Sequence, residues 1–301
     1  MSRFVVLLTG ASGFVGKHVQ AAAPCVALVD SDGVEVDIRD RDALLKVLTR
    51  LRFDAVIHLA AQASVTASFD DPELTYGVNF TGTYNLLWSL KQAGFAGRLL
   101  YVGTAEEYGE VDEADLPVSE HQPLRPRSPY AVSKVAAEAL CYQWSQTTGL
   151  DIVCVRPFNH VGPGQSAAYV IPAMARQVVE IRRGTRPPEL VLGSLEVTRD
   201  MLDVRDVVSA YLALLDGGHS GGVYNVCSGV ERSVLDLATM LLGQAGVQAT
   251  LRTDERLVRP HEQRRMVGDN TKLRTTTGWS PSIPFSRTLD DVLRDWEERL
   301  T

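Results

Sequence analysis

A tyrosine and a lysine four residues apart carry the clearest chemistry in this chain, in the segment Ser128-Pro129-Tyr130-Ala131-Val132-Ser133-Lys134. Ser128 has the side chain of a helix N-cap, and Pro129 suits the first helical position, where a missing N–H costs nothing. The spacing predicts Tyr130 and Lys134 on one helix face. A free phenol ionises with a pKa of about 10. A neighbouring ammonium favours the phenolate, so Tyr130 is expected to pass a proton near neutral pH. A Tyr-x-x-x-Lys pair alone arises often by chance. A glycine-rich segment near residue 10 and a hydroxyl at Thr104 give this one its weight.

The first of these is Thr9-Gly10-Ala11-Ser12-Gly13-Phe14-Val15-Gly16, which follows the apolar run 4–8 and opens a helical pattern. Glycines there let the backbone turn tightly and approach a pyrophosphate, whose charge meets a helix N-terminus. Asp30 stands 20 residues after Gly10, where a carboxylate takes adenine-ribose hydroxyls, although the crowded Ser31-Asp32-Gly33 is equally compatible with a plain loop. Asp37 and Ile38 are placed to flank an adenine.

Thr104, in Tyr101-Val102-Gly103-Thr104-Ala105-Glu106-Glu107-Tyr108-Gly109, ends an apolar run and can offer a hydroxyl to a carbonyl oxygen. Glu106 is open between a general base, a substrate ligand and a solvated acid. Asn79 falls in a helical stretch, where a buried amide can support a water chain toward the lysine. His58 reads as a satisfied core histidine. Asn159 and His160 follow a strand-like run in a Pro/Gly-rich segment, Arg156-Pro157-Phe158-Asn159-His160-Val161-Gly162-Pro163-Gly164-Gln165, suited to contacting cofactor and substrate. Arg199 and Arg259 could each grip a diphosphate with bidentate donors.

These residues need a scaffold, and the hydrophobic pattern supplies one. Short apolar runs at 4–9, 26–29, 55–59, 99–103 and 152–156 read as strands; 13–22, 41–51, 74–93, 129–148 and 204–215 read as helices. Continuous apolar strands between helices predict an α/β fold, a Rossmann-type doubly wound parallel sheet with both faces covered. After Arg156 prolines break the pattern. The expected division is a dinucleotide-binding domain over 1–160 plus about 200–222, and a smaller C-terminal α/β substrate lobe over 161–199 and 223–301. Ligands bind such sheets beyond the strands' carboxyl ends, where Gly10, Ala60, Thr104 and Pro157 fall.

With 301 residues the chain can bury a large core. A net charge of −7 without a basic stripe argues against nucleic acid as partner. No apolar run nears the ~20 residues of a membrane span, and the run 4–8 stops too soon for a signal peptide. The chain is expected to be cytoplasmic. Cys25, Cys141, Cys154 and Cys227 form no Cys-x-x-Cys, so free thiols are expected and no metal site.

Together and in order, TGASGFVG, HLAAQ (58–62), Asn79, TAEEYG, SPYAVSK, RPFNHVGPGQ, TRDMLDVRD, YNVCSG and a final TTGW resemble an extended short-chain dehydrogenase/reductase over essentially the whole chain. RPFNHVGPGQ followed by RDMLDVRD and VYNVCSG is similar to GDP-6-deoxy-4-keto-D-mannose reductases, which make GDP-D-rhamnose. The resemblance implies a homodimer formed through helices 74–93 and 129–148. It implies that Tyr130 is the proton donor, with Lys134 its partner on the nicotinamide ribose, and that Thr104 fills the Ser/Thr position. It further implies a dinucleotide held by Gly10, Ser12, Gly13, Phe14, Val15 and Gly16, by Leu59, Ala60 and Ala61, and by Asn79, Tyr130, Lys134 and Pro157. Asn159 would contact the substrate, Arg199 and Arg259 would hold its diphosphate, and Glu262 its nucleotide ribose. Reductases of this group imply NADPH, whereas Asp30 points to NADH. Glu106 matches the dehydratases' catalytic acid, so a 4,6-dehydratase or 4-epimerase is the alternative. Ala105 stands where dTDP-glucose dehydratases carry a second acid, which argues against that class. A non-catalytic dinucleotide-binding regulator would not need Tyr130 and Lys134 together.

Overall fold

Strands of valine, leucine and isoleucine bury both faces only when helices cover both sides of the sheet. The structure, a computed structural model describing residues 4–258 and 263–301, shows this arrangement. The strands are β1 (Val6–Thr9), β2 (Cys25–Ala27), β3 (Ala55–His58), β4 (Arg98–Val102), β5 (Asp151–Pro157), β6 (Asn159–Val161), β7 (Glu189–Leu192), β8 (Thr198–Asp203), β9 (Val223–Val226), β10 (Glu231–Ser233) and β11 (Thr250–Thr253). The helices are α1 (Phe14–Ala22), α2 (Arg41–Leu48), α3 (Val65–Asp70), α4 (Pro72–Tyr76), α5 (Gly82–Gln92), α6 (Pro129–Thr147), α7 (Val170–Arg182), α8 (Val204–Gly217), α9 (Val234–Ala245), α10 (Thr271–Thr277) and α11 (Phe285–Arg299).

The main sheet is parallel, in the order β2-β1-β3-β4-β5-β9. Side chains alternate between its faces. Leu7, Val56, Leu99 and Ile152 pack under Leu44, Leu86, Leu90 and Cys141 of α2, α5 and α6. Leu8, Ile57, Leu100 and Val153 pack under Val19, Val207, Tyr211 and Leu214 of α1 and α8. Register aligns Thr9 with His58, His58 with Tyr101 and Tyr101 with Cys154, so the loops that follow open along one rim. The second lobe holds the three strands β10-β8-β6 and the pair β11-β7. Met174, Val178, Leu237, Leu241, Val292 and Trp296 of α7, α9 and α11 form its core.

Three expectations change. β2 spans Cys25–Ala27 and ends before Asp30. The helix expected over 74–93 divides into α4, a π turn at Gly77–Thr81 and α5. The segment from 223, assigned to the smaller lobe, begins with β9, which pairs with β5 from Cys154↔Val223 to Pro157↔Val226. Without β9, β5 would be an open edge with unpaired backbone groups, so this segment belongs to the main sheet. Among the described residues no helix is long and apolar enough to cross a membrane.

Candidate active site

Helix α6 begins as its sequence dictates: the Ser128 hydroxyl accepts from Ala131 N at 3.1 Å, and Pro129 follows. Tyr130, Lys134 and Glu138 succeed one another at helical spacing, and all are buried. Burial pushes the Tyr130 phenol well above its ordinary value, against an opposing hydrogen bond with the Thr104 side chain. The expected lowering by Lys134 is not found, because desolvation dominates. The phenol is therefore held protonated, the form a proton donor needs. Burial also lowers Lys134 to about 8. Its ammonium donates to the Val102 carbonyl at 2.8 Å and lies 5.2 Å from the Tyr101 ring, which fixes its position behind the tyrosine.

Thr104 caps the short helical turn Ala105–Tyr108. Its hydroxyl accepts from Glu106 N at 3.2 Å, which leaves its own hydrogen free to donate toward Tyr130 or a substrate oxygen. Glu107 completes the cap by accepting from Thr104 N at 2.9 Å. Glu107 was not anticipated. It is fully buried, and its signal in the sequence was the capping spacing Thr-x-x-Glu. Arg156 binds Glu138 through two bonds, of 2.9 and 2.5 Å, and its Nε lies 3.5 Å from Glu107 Oε2. Burial, and then the charge of Glu138, push Glu107 well above the carboxylate range, while Arg156 opposes. Two carboxyls thus face one guanidinium beneath Thr104, and their repulsion and burial favour the protonated form of Glu107. Tyr108 extends it, accepting from Arg156 at 3.1 Å and donating to Asn225 at 2.6 Å. Glu106, by contrast, is exposed.

The glycine loop fits a dinucleotide. Gly10 has φ +70°, and a Cβ there would meet Ala60 N at 2.8 Å; a Cβ at Gly16 would meet Gly10 O at 2.5 Å. Gly13 gives α1 no side-chain cap and the first turn carries no acid, which leaves the helix N–H groups available to an anion. Phe14 stacks on His160 at 6.2 Å, joining α1 to β6. Val15 is half-buried against the sheet core. Leu59, Ala60 and Ala61 follow β3 on the same rim, half-buried. Thr9 Oγ1 accepts from Leu59 N and Ala60 N and so donates to His58 Nδ1 at 2.8 Å. His58 Nε2 in turn donates to Thr83 at 3.0 Å. Burial lowers His58 to about 3, and it is the core histidine its setting predicted.

Other expected residues are placed less simply. Asp30 lies in the loop, its Oδ1 accepting from Asp32 N and Val34 N, so the loop interpretation is the one found. Asp37 is bound by Arg39, and Ile38 is core, packed beneath Gly82 rather than open to an adenine. Asn79 sits in the π turn; its amide donates to Gln62 O and Ser133 Oγ and accepts from Gln62 N, tying the β3 loop to α6. Pro157 ends β5, and exposed Asn159 begins β6 beside it. Arg199 donates to Thr198 O at 2.7 Å and Gln263 O at 2.8 Å, at the edge of the segment 259–262. Arg259 and Glu262 lie outside the described residues.

Comparison with known proteins decides the family. The family described as GDP-mannose 4,6 dehydratase matches residues 29–292. The chain belongs to that family, within the extended short-chain dehydrogenases/reductases. Within it the chain is 45% identical over 98% of its length, and 98% of the relative, to a GDP-6-deoxy-D-mannose reductase of Pseudomonas aeruginosa. It is 33% identical to a UDP-glucose 4-epimerase of Mycolicibacterium smegmatis, over 93% of this chain and 94% of the relative. The solved structure of RMD from Pseudomonas aeruginosa complexed with NADPH superposes with a TM-score of 0.91 at 44% identity, covering 98% of this chain and 99% of that one. The family member described here is a nicotinamide-dependent nucleotide-sugar oxidoreductase of Rossmann-type fold.

Proposed function

We propose that this protein reduces the C4 keto group of GDP-4-keto-6-deoxy-D-mannose to the alcohol of GDP-D-rhamnose. The reductase of Pseudomonas aeruginosa, similar over 98% of both chains, supports the substrate class. The observation that carries the reaction is the state of the acids around Thr104. A dehydratase must take a proton from C5 and expel the C6 hydroxyl, which needs an acid and a base at that rim. Ala105 provides neither, and Glu107 is committed to Thr104 N and Arg156. Only Glu106 remains, and it is exposed. Ketone reduction needs one proton donor, and Tyr130 is held protonated.

The glycine loop would hold the pyrophosphate of a reduced dinucleotide, with Lys134 at its nicotinamide ribose, and that cofactor would supply the hydride taken up at the C4 carbon. Thr104 donates to the keto oxygen and orients it. Tyr130 gives its phenolic proton to that oxygen as the charge develops, and the Lys134 ammonium stabilises the phenolate left behind. Asn159 and Arg199, with Arg259 and Glu262, would hold the GDP moiety. Glu106 would bind sugar hydroxyls. Phe69, Leu74, Tyr76, Phe80, Tyr84, Val132 and Tyr142 on α3 to α6 and the π turn are exposed apolar side chains, and they support a homodimer through this face. A cytoplasmic location, without nucleic acid or membrane as partner, accords with a small-molecule reductase.

The test is to supply GDP-4-keto-6-deoxy-D-mannose with each reduced cofactor and follow absorbance at the nicotinamide band together with the sugar by NMR. Net cofactor oxidation with appearance of a 6-deoxy hexose is expected. In a second arm, supplied with GDP-mannose and oxidised cofactor, conversion to the keto sugar with no net change in cofactor would place this member among the dehydratases.

A further inference from the structure

We propose that Arg156 is a positioning residue for the reduction: held between Glu107 and Glu138, its guanidinium keeps the Thr104 hydroxyl in register with Tyr130 and Lys134. The inference rests on the reductase activity proposed above and names what sets the geometry of its hydroxyl donors. Those donors come from separate elements. Thr104 stands on the turn after β4, whereas Tyr130 and Lys134 stand on α6. Lys134 Nζ ties α6 to β4 at the Val102 carbonyl. A second tie runs behind it. Glu138 lies one turn beyond Lys134 on α6, Glu107 lies on the Thr104 turn, and Arg156 reaches both from the end of β5.

Each nitrogen of the guanidinium is engaged. Nε and Nη2 donate to the two oxygens of Glu138, and Nε also faces Glu107 Oε2. Nη1 donates to the Tyr108 hydroxyl at 3.1 Å and to the Glu120 carbonyl at 3.4 Å. Tyr108 passes the tie to Asn225 of β9, the residue that pairs with Arg156 in the sheet. A planar fork of five N–H donors can serve all these partners at once, and an ammonium cannot. Glu107 carries the tie to Thr104 N. Gly103 makes room for it: the Gly103 N–H donates to Val155 O at 2.8 Å, and a Cβ there would collide with Glu107 Oε1. The path from α6 to Thr104 is thus continuous through Glu138, Arg156 and Glu107, all three buried. Apolar side chains of similar volume would pack this space as stably as buried charges do. What the charged cluster adds is one fixed arrangement. As hydride adds to C4, charge develops on the keto oxygen, and both Thr104 and Tyr130 must aim at it. A displacement of about 1 Å in such a group costs roughly 100-fold in rate.

A double-mutant cycle tests this: wild type, Arg156→Lys, Thr104→Val and the double variant, each assayed below its melting midpoint on the keto sugar with reduced cofactor. Arg156→Lys keeps the charge and loses the fork. It should lower kcat about 10- to 100-fold, while KM and the calorimetric dissociation constant of the cofactor move by less than about threefold. In the Thr104→Val background the same substitution should cost under ~3-fold, because the hydroxyl it positions is already gone. Glu138→Gln keeps the shape and an acceptor for Arg156, and it should show a smaller loss with the same dependence on Thr104. It carries the cycle if Arg156→Lys does not fold. A merely structural Arg156 would lower the melting midpoint, leave kcat per folded site at the wild-type value, and give losses that multiply with Thr104→Val. Wild-type kcat in the variants, or multiplying losses, would overturn the inference and leave the reductase proposal standing. A wild type that leaves the keto sugar unreduced would overturn that proposal and this inference together.

Discussion

Glu107 holds the proton donor's neighbour in place, and its replacement by alanine and by glutamine should have very different effects. Glu107→Ala leaves the buried Thr104 N–H without a partner, a loss worth about 1–3 kcal/mol. It also opens a cavity the size of a carboxymethyl group, which adds about 1–2 kcal/mol. The sum is about 2–5 kcal/mol; at roughly 2 °C per kcal/mol for a chain of this length, the melting midpoint falls about 4–10 °C. Glu107→Gln keeps an oxygen for Thr104 N and is as neutral as the protonated acid it replaces, so at pH 7 it should cost under ~1 kcal/mol. The pH dependence has a definite sign. Glu107 is raised from its ordinary 4.5 in the fold, so its stabilisation is complete below that value and is lost as pH climbs through the folded value. Glutamine has no such loss, so the midpoint of Glu107→Gln relative to wild type should rise between pH 5 and 8. Calorimetric melts of the three proteins across that range give the answer. Equal losses for Ala and Gln at pH 7, or a wild type that gains on Glu107→Gln with rising pH, would show that Glu107 is charged in the fold and refute its raised pKa.

Tyr130→Phe should lower kcat by about 100- to 10,000-fold, with the dissociation constant of the cofactor, measured by calorimetry, nearly unchanged. With Lys134 at about 8, kcat/KM should fall as pH rises through that value, since the neutral amine no longer stabilises the phenolate; a pH–rate profile flat from 7 to 9 would remove the ammonium from the mechanism. Gly16→Ala should abolish cofactor binding in the same calorimetric assay, because its methyl group would sit 2.5 Å from Gly10 O and 2.7 Å from Ala11 O, both backbone atoms that shape the loop.

The parts of the site legible in the sequence are those that local chain chemistry fixes. Ser128-Pro129 starts α6 wherever it occurs, and this alone places Tyr130 and Lys134 on one face. The strand–glycine–helix passage from Thr9 to Gly16 is equally local. What escaped depends on distant contacts. Val223–Val226 looks like any short apolar run, and only pairing with β5 assigns it to the main sheet. The proximity of Lys134 suggested a lowered Tyr130, but burial, which no local spacing reveals, raises it. Asp30 stands at the customary count from Gly10, yet β2 ends three residues before it and a turn brings Glu35 to Ser12 instead. Glu107 was hidden because its partners, Arg156 and Glu138, come from β5 and α6.

The central claim is a hydride passed to C4 of a keto sugar and kept there. Reduced cofactor deuterated at the transferring position of the nicotinamide, mixed with GDP-4-keto-6-deoxy-D-mannose and wild-type protein, tests it by NMR of the product. One deuterium at C4, with one cofactor oxidised per sugar consumed, is the predicted result. Product without deuterium at C4, or sugar conversion with the cofactor still reduced, would contradict it.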